Sequence, residues 1–311
     1  MSHIELGKFE RIDAVYKDVD GIPFEVSVIA PREVVSAQCP ARPVLVHFHG
    51  GGFILGTALD PQTLPLWQVW MLQYAEARGA VVVSPCHRLL PEAKASQILE
   101  DIKDFWDWVY TSLASTVSDT WPQVSIDLSR LAAAGQGSGG TLALHSSFLW
   151  PQTRIKVIMA QYCAIDTDSP MFSPRPHDPP RDLDGFVTRY LQRIRPGTFR
   201  VSSPFPEYFD LMFAVHQTGR FRDMVGADGS LRLRRNMGQA KVVPPIWMAQ
   251  GAEDRIVSRL AADELVSELR IAHPKTPVLY RVLPGGHGFD VKHAFDEAWV
   301  QEGVEFVDRF W

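Results

Sequence analysis

Apolar and polar residues alternate from Phe9 to Val28 around Asp20-Gly21. That period-2 pattern with a central Asp-Gly predicts a hairpin of two strands, roughly 12–17 and 24–29. A loop rich in Pro and Ala follows from Pro31 to Pro43. Beyond it, short apolar runs take turns with longer segments of helical period. Residues 44–48, 80–84, 131–134, 155–161, 245–249 and 278–282 read as buried strands. Residues 64–77, 98–113, 260–271 and 294–310 read as helices, as does the stretch from the glycines at 139–140 to about Leu149. In the second of these, Ile98, Ile102, Phe105 and Val109 share one face. Strands alternating with helices predict an α/β fold. The central sheet should be mostly parallel, with helices on both faces and the hairpin as an antiparallel edge. The pattern breaks down between 166 and 241. That segment holds Pro-rich loops, such as the one from Ser173 to Pro180, and helical pieces near 186–194 and 208–215. It is too long for an ordinary connection. The expected organisation is one domain over 1–311 with a cap inserted at 166–241, and with 1–25 a candidate addition to that cap.

Composition narrows the function classes. A chain of 311 residues can bury roughly three-quarters of its unfolded surface, so it needs no disulfide or metal staple. The net charge of -5 offers no electrostatic footprint for nucleic acid. No apolar run reaches the ~18–20 residues that span a bilayer, and the first residues lack the apolar core of a secretory signal. The expectation is a cytoplasmic protein that needs no cofactor, acts on an apolar small molecule and is a candidate homodimer. The cysteines at 39, 86 and 163 are scattered, without C-x-x-C or zinc spacing. Cys86 and Cys163 flank apolar runs and are expected to be buried thiols. The 9 Trp and 17 Phe suit core packing or an aromatic-lined pocket, with Trp67 and Trp70 as candidate lining.

Four signals then occur in a fixed order. His49-Gly50-Gly51-Gly52-Phe53 ends a buried strand. Consecutive glycines let backbone N–H groups reach a pocket with no Cβ in the way, which makes Gly50 and Gly51 candidate oxyanion donors and His49 and Phe53 candidate substrate contacts. Gly135-Gln-Gly137-Ser138-Gly139-Gly140 is a glycine-packed strand–turn–helix. Asp254 follows a strand end, which is the site side of an open α/β sheet. His287 lies between glycines past the last strand. The order elbow, acid, histidine is that of a hydrolase triad on this kind of sheet.

These motifs resemble the hormone-sensitive-lipase branch of carboxylesterases. That branch's H-G-G-G-F matches His49–Phe53. Its Y-R-L-A-P-E matches His87–Glu92, with His for Tyr and Leu for Ala. Its G-D-S-A-G-G matches Gly135–Gly140 without a gap, flanked by Arg130-Leu131 and Leu142-Ala143. Its acid segment resembles Asp254-Arg-Ile256, and its H-G-F resembles His287–Phe289. The resemblance implies an α/β-hydrolase fold with a helical cap, with Asp254 and His287 as acid and base. It also puts the nucleophile position on Gly137, not on Ser138. Ser138 then supplies a backbone N–H to the oxyanion hole, or is an alternative nucleophile if the turn slips by one residue. With no serine at the apex, the leading expectation is non-hydrolytic His/Asp chemistry on an apolar carbonyl compound: elimination, cyclisation or rearrangement, as in plant dehydratases and cyclases of this branch. The alternatives are ester hydrolysis through Ser138 or a His-activated water, and a binding protein like the plant gibberellin receptors. Arg88 and Glu92 are expected to buttress the oxyanion loop, and His87 to be structural.

Overall fold

The computed structural model describes residues 6–38, 40–59, 67–165, 181–225 and 229–311. Cys39, the start of the expected 64–77 helix, and the Pro-rich loop at 173–180 lie outside them. β1 (Phe9–Val19) and β2 (Ile22–Pro31) form the hairpin. α1 (Arg32–Ser36) follows, then β3 (Arg42–Phe48), α2 (Val69–Arg78) and β4 (Val81–Pro85). α3 (Ala95–Thr111), α4 (Leu113–Thr120), β5 (Ile126–Gln136), α5 (Ser138–Leu149) and β6 (Val157–Gln161) come next. The inserted segment carries α6 (Arg181–Arg193), α7 (Phe209–Gln217), α8 (Phe221–Val225) and α9 (Leu233–Gln239). The chain closes with β7 (Ile246–Gly251), α10 (Arg259–Ala272), β8 (Val278–Leu283) and α11 (Ala298–Val307).

The strands make one eight-stranded sheet in the order β1-β2-β4-β3-β5-β6-β7-β8. β1 and β2 pair antiparallel with each other, and β2 pairs antiparallel with β4; the remaining pairs are parallel. The expected antiparallel edge is therefore present. Residues 9–19 and 22–31 form it. Along the central strands the side chains alternate between two cores. Val44, Val46, Leu131 and Ala133 pack on the face carrying α3, α5 and α10. Leu45, Ala132, Val157 and Met159 pack on the face carrying α2 and α11. Both faces are covered, which is why these strands read as unbroken apolar runs. Cys86 and Cys163 are buried free thiols.

The candidate aromatic lining is partly reassigned here. Trp70 is fully buried, packs on Trp247 with ring centroids 5.1 Å apart, and donates its indole N–H to Asp290 at 3.1 Å. It belongs to the core between α2 and the sheet. Phe53 is also fully buried and packs towards Phe221 at 6.4 Å. Its φ of +60° turns the chain so that the ring enters the core and the glycines before it stay at the surface of the cavity.

Candidate active site

The centre is the turn from β5 into α5. Gly135 and Gly139 are glycines for steric reasons. A Cβ on Gly135 would lie 2.3 Å from the Gly139 carbonyl carbon, and one on Gly139 would lie 2.0 Å from the Phe48 carbonyl oxygen. The start of α5 is thus pressed backbone to backbone against β5 and β3. The apex is Gly137, with φ +54° and ψ −123°, outside the regions open to residues with a Cβ. A Cβ built there points at His287, 3.5 Å from Nε2. Ser138 is the first residue of α5. Its backbone N–H is therefore one of the donors that a helix start leaves without an intrahelical acceptor. Its Oγ is buried and has no hydrogen-bond partner among the described residues.

Asp254 and His287 meet across two loops that follow β7 and β8. His287 Nδ1–H donates to Asp254 Oδ2 at 2.9 Å. The same oxygen accepts from Gln250 Nε2 at 2.9 Å, and Oδ1 accepts the backbone N–H groups of Ile256 and Val257 at 2.8 and 2.9 Å. Burial pushes the Asp254 carboxyl up. The hydrogen bond and charge of His287 and the two backbone donors outweigh it, and the carboxyl sits below its ordinary range. The loops are tied together by Glu253 N–H to Gly285 O at 3.0 Å and Ala252 N–H to Leu283 O at 2.7 Å. The His287 ring is set from the other side by Tyr162, edge-on at 4.8 Å.

The glycine loop after β3 forms the facing wall. Gly51 has φ +101°, and a Cβ there would lie 2.1 Å from the Leu55 carbonyl oxygen. His49 Nδ1–H donates to Gly50 O at 2.9 Å, and its ring stacks on His87 at 4.5 Å with an 11° interplanar angle. His87 in turn donates from Nδ1 to Arg88 O at 2.8 Å. Arg88 grips the buried Asp101 at 2.6 Å. Glu92 takes Arg200 of the inserted segment at 2.8 Å, and Arg200 also donates to Ile54 O at 3.1 Å and Leu90 O at 2.7 Å. The segment is further stitched to the loop by the Gly56–Ser203 bridge.

These walls enclose a cavity of about 400 Å³. Gly50, Gly51, Gly137, Ser138 and His287 open onto it, as do His49 and Trp67. Apolar surface from Leu55, Met212, Ile256 and Val257 completes most of it. Tyr162, Met212 and His216 are among the lining residues that escaped the sequence reading. Tyr162 stands just past the end of β6, a position the strand-end rule flags. Met212 and His216 are one turn apart on α7, a signal that needs the helix to be located first. Among the described residues, no group of three or more His, Cys, Asp or Glu converges as a metal site. No helix there is long and apolar enough to cross a membrane.

A parallel sheet whose strand ends carry a glycine elbow, an acid and a histidine in that order defines a class. The chain belongs to the alpha/beta hydrolase fold family, which it matches over residues 45–207. It is similar to a probable carboxylesterase of Phoma sp., 32% identical over 314 residues, with 97% of each chain covered. Among solved structures it resembles a protein of unknown function from Staphylococcus aureus, with TM-score 0.66, 18% identity and coverage of 97% of this chain and 99% of that one. It also resembles the esterase LipW from Mycobacterium marinum, with TM-score 0.57, 20% identity and coverage of 97% and 80%.

The site region is rich in histidines held neutral. Burial lowers His47 and His49 to about 3, and His87 and His145 to about 4. Unfolded, each titrates near 6.5. Between about pH 6.5 and 4 the unfolded chain binds more protons than the folded one, so stability falls as pH falls. His216 is likewise lowered to about 4; Asp290, raised to about 6 by burial, acts with the opposite sign but is one group against five. Each histidine contributes about 1.4 kcal/mol per pH unit in that window. Urea midpoints are expected to drop steeply from pH 7 to pH 5; a flat profile would mean that these rings are not neutral and enclosed.

Proposed function

We propose that the chain is a carboxylic-ester hydrolase whose attacking group is a water activated by His287. The observation that carries this is the Gly137 apex: its would-be Cβ lies 3.5 Å from His287 Nε2. An oxygen occupying that place, where a serine Oγ would stand, lies within hydrogen-bond reach of the base. His287 Nε2 takes the proton of the water as it attacks the acyl carbon. Asp254 holds Nδ1–H and so fixes the tautomer that leaves Nε2 free to accept. The N–H groups of Gly50, Gly51 and Ser138 receive the oxyanion. His287 then returns the proton to the leaving alkoxide. The inserted segment serves as a cap, through Met212 and His216. The mostly apolar lining suits an apolar acyl ester. Kinship with a protein named a probable carboxylesterase favours hydrolysis over the non-hydrolytic chemistry that the missing serine first suggests.

The water route is favoured over Ser138 because Ser138 is one residue past the apex, and among the described residues its Oγ engages no partner, His287 included. Fluorophosphonate treatment followed by peptide mass spectrometry is expected to leave Ser138 unmodified while p-nitrophenyl butyrate is still turned over slowly. An adduct on Ser138 would make that serine the nucleophile. A second reading draws on the same glycine: without an oxygen on the chain at the apex, a carbon acid can approach His287 Nε2 directly. Hydrolysis in oxygen-18 water separates the two, since only ester cleavage places the label in a carboxylate product.

A further inference from the structure

Besides His49 and His287 the cavity holds a third histidine, which the proposed mechanism leaves unused. His216 comes from α7, in the inserted segment, and lines the same space as His287. It lies against the glycine loop: a Cβ built on Gly52 would be 3.5 Å from His216 Nε2 and 3.7 Å from Met212 Cγ. Gly52 directly follows the two candidate oxyanion donors, so this ring nitrogen lies against the residue next to them and lines the same cavity. The ring is fixed from behind. It stacks on Phe221 at 5.4 Å with a 17° interplanar angle, and Phe221 packs towards Phe53, the residue after Gly52. The glycine loop, Phe53, Phe221 and His216 therefore pack as one cluster, with the imidazole against the loop it faces.

We infer that His216 is a catalytic residue, a side-chain hydrogen-bond donor to the acyl oxygen that completes the oxyanion site together with the Gly50 and Gly51 N–H groups. What the donor accomplishes rests on the hydrolytic reading; where it sits does not. Burial and the neighbouring His287 lower His216 to about 4. Near neutral pH it is therefore an uncharged imidazole, which donates one N–H without adding a buried charge. A neutral donor of this kind stabilises an oxygen that carries negative charge, as the reacting oxygen of an ester or an enolisable carbonyl compound does at the transition state.

The probe is 4-nitrophenolate, a stable aryl oxyanion, titrated into the full chain at mildly alkaline pH and followed by its absorbance. Wild type is expected to bind it. His216→Phe keeps the ring and its stacking but removes the donor, and should bind at least tenfold more weakly. His216→Gln restores an N–H and should recover most of the loss. In p-nitrophenyl butyrate turnover, His216→Phe should lower kcat about 100-fold, as loss of one oxyanion donor does, with KM changed less than threefold. Thermal melts of both variants check that the fold is kept. The inference is overturned if wild type does not bind the phenolate, if His216→Phe stays within threefold of wild type in affinity, or if His216→Gln is as weak as His216→Phe. Failure of the hydrolytic reading looks different: turnover is absent while phenolate binding persists and still depends on His216.

Discussion

Gly137→Ser is expected to raise p-nitrophenyl ester hydrolysis by at least about 10³-fold, while lowering stability. The built Cβ at this position already points at His287 Nε2 from 3.5 Å, and a hydroxyl one bond further out falls within hydrogen-bond reach. His287 is held by Asp254, and Gly50, Gly51 and Ser138 line the same cavity, so on the proposed reading the substitution adds the hydroxyl that would complete a triad. Removal of the serine from a complete triad costs about 10⁶ in kcat, which sets the ceiling for the gain. The opposing effect is backbone strain. At φ +54° and ψ −123° a side chain costs about 1–3 kcal/mol, which should show as a lower urea midpoint. The variant should also show burst kinetics and take up fluorophosphonate at position 137. If hydrolysis does not rise, the apex is not where the β5–α5 turn puts it, or His287 is not oriented to deprotonate a group there.

His287→Ala is expected to reduce turnover by about 10³-fold or more, to the level that the oxyanion donors provide alone. Asp254→Asn should come close to it. The Asp254 carboxylate accepts from His287, Gln250, Ile256 and Val257, and an amide cannot accept at all of these with both of its heavy atoms. The His287 ring then loses the partner that fixes its tautomer. Because the Asp254 carboxyl is held below its ordinary range, it stays ionised through the mildly acidic region. Its stabilising contribution is present above its unfolded value and is lost as pH falls through the folded one. Activity measured at pH 5 should therefore not decline through protonation of Asp254. Retention of most activity by His287→Ala would remove His287 from the mechanism as its general base.

The central strands were legible because both faces of the sheet are covered, so that β3, β4 and β7 each carry an uninterrupted apolar run: 43–46, 81–83 and 246–249. The half of β5 before Leu131 was not legible. It runs through Asp127, Ser129 and Arg130, and its pairing with β3 slips at Pro43–Val44. α8 and α9 are 5 and 7 residues long, too short for a helical period to register. The glycine loop, the elbow, Asp254 and His287 could be read because strand-end geometry demands particular residue types there. Trp70 and Phe53 were misplaced because an aromatic stripe looks the same whether it faces a core or a pocket. His216 carries no motif at all: only the fold of the inserted segment back over Gly52 gives it a role.

The contacts that shape the elbow are between main-chain atoms. Gly139 rests on the carbonyl oxygens of Phe48 and His49, and Gly135 rests on the backbone of Gly139 and Gly140. None of these contacts involves a side chain at position 137. The joint therefore keeps its form whichever small residue fills its socket, and a lineage can exchange that residue without rebuilding the surrounding walls. Exchanging the residue at the apex therefore leaves the frame in place, and its cost to folding is confined to the strain of one backbone position.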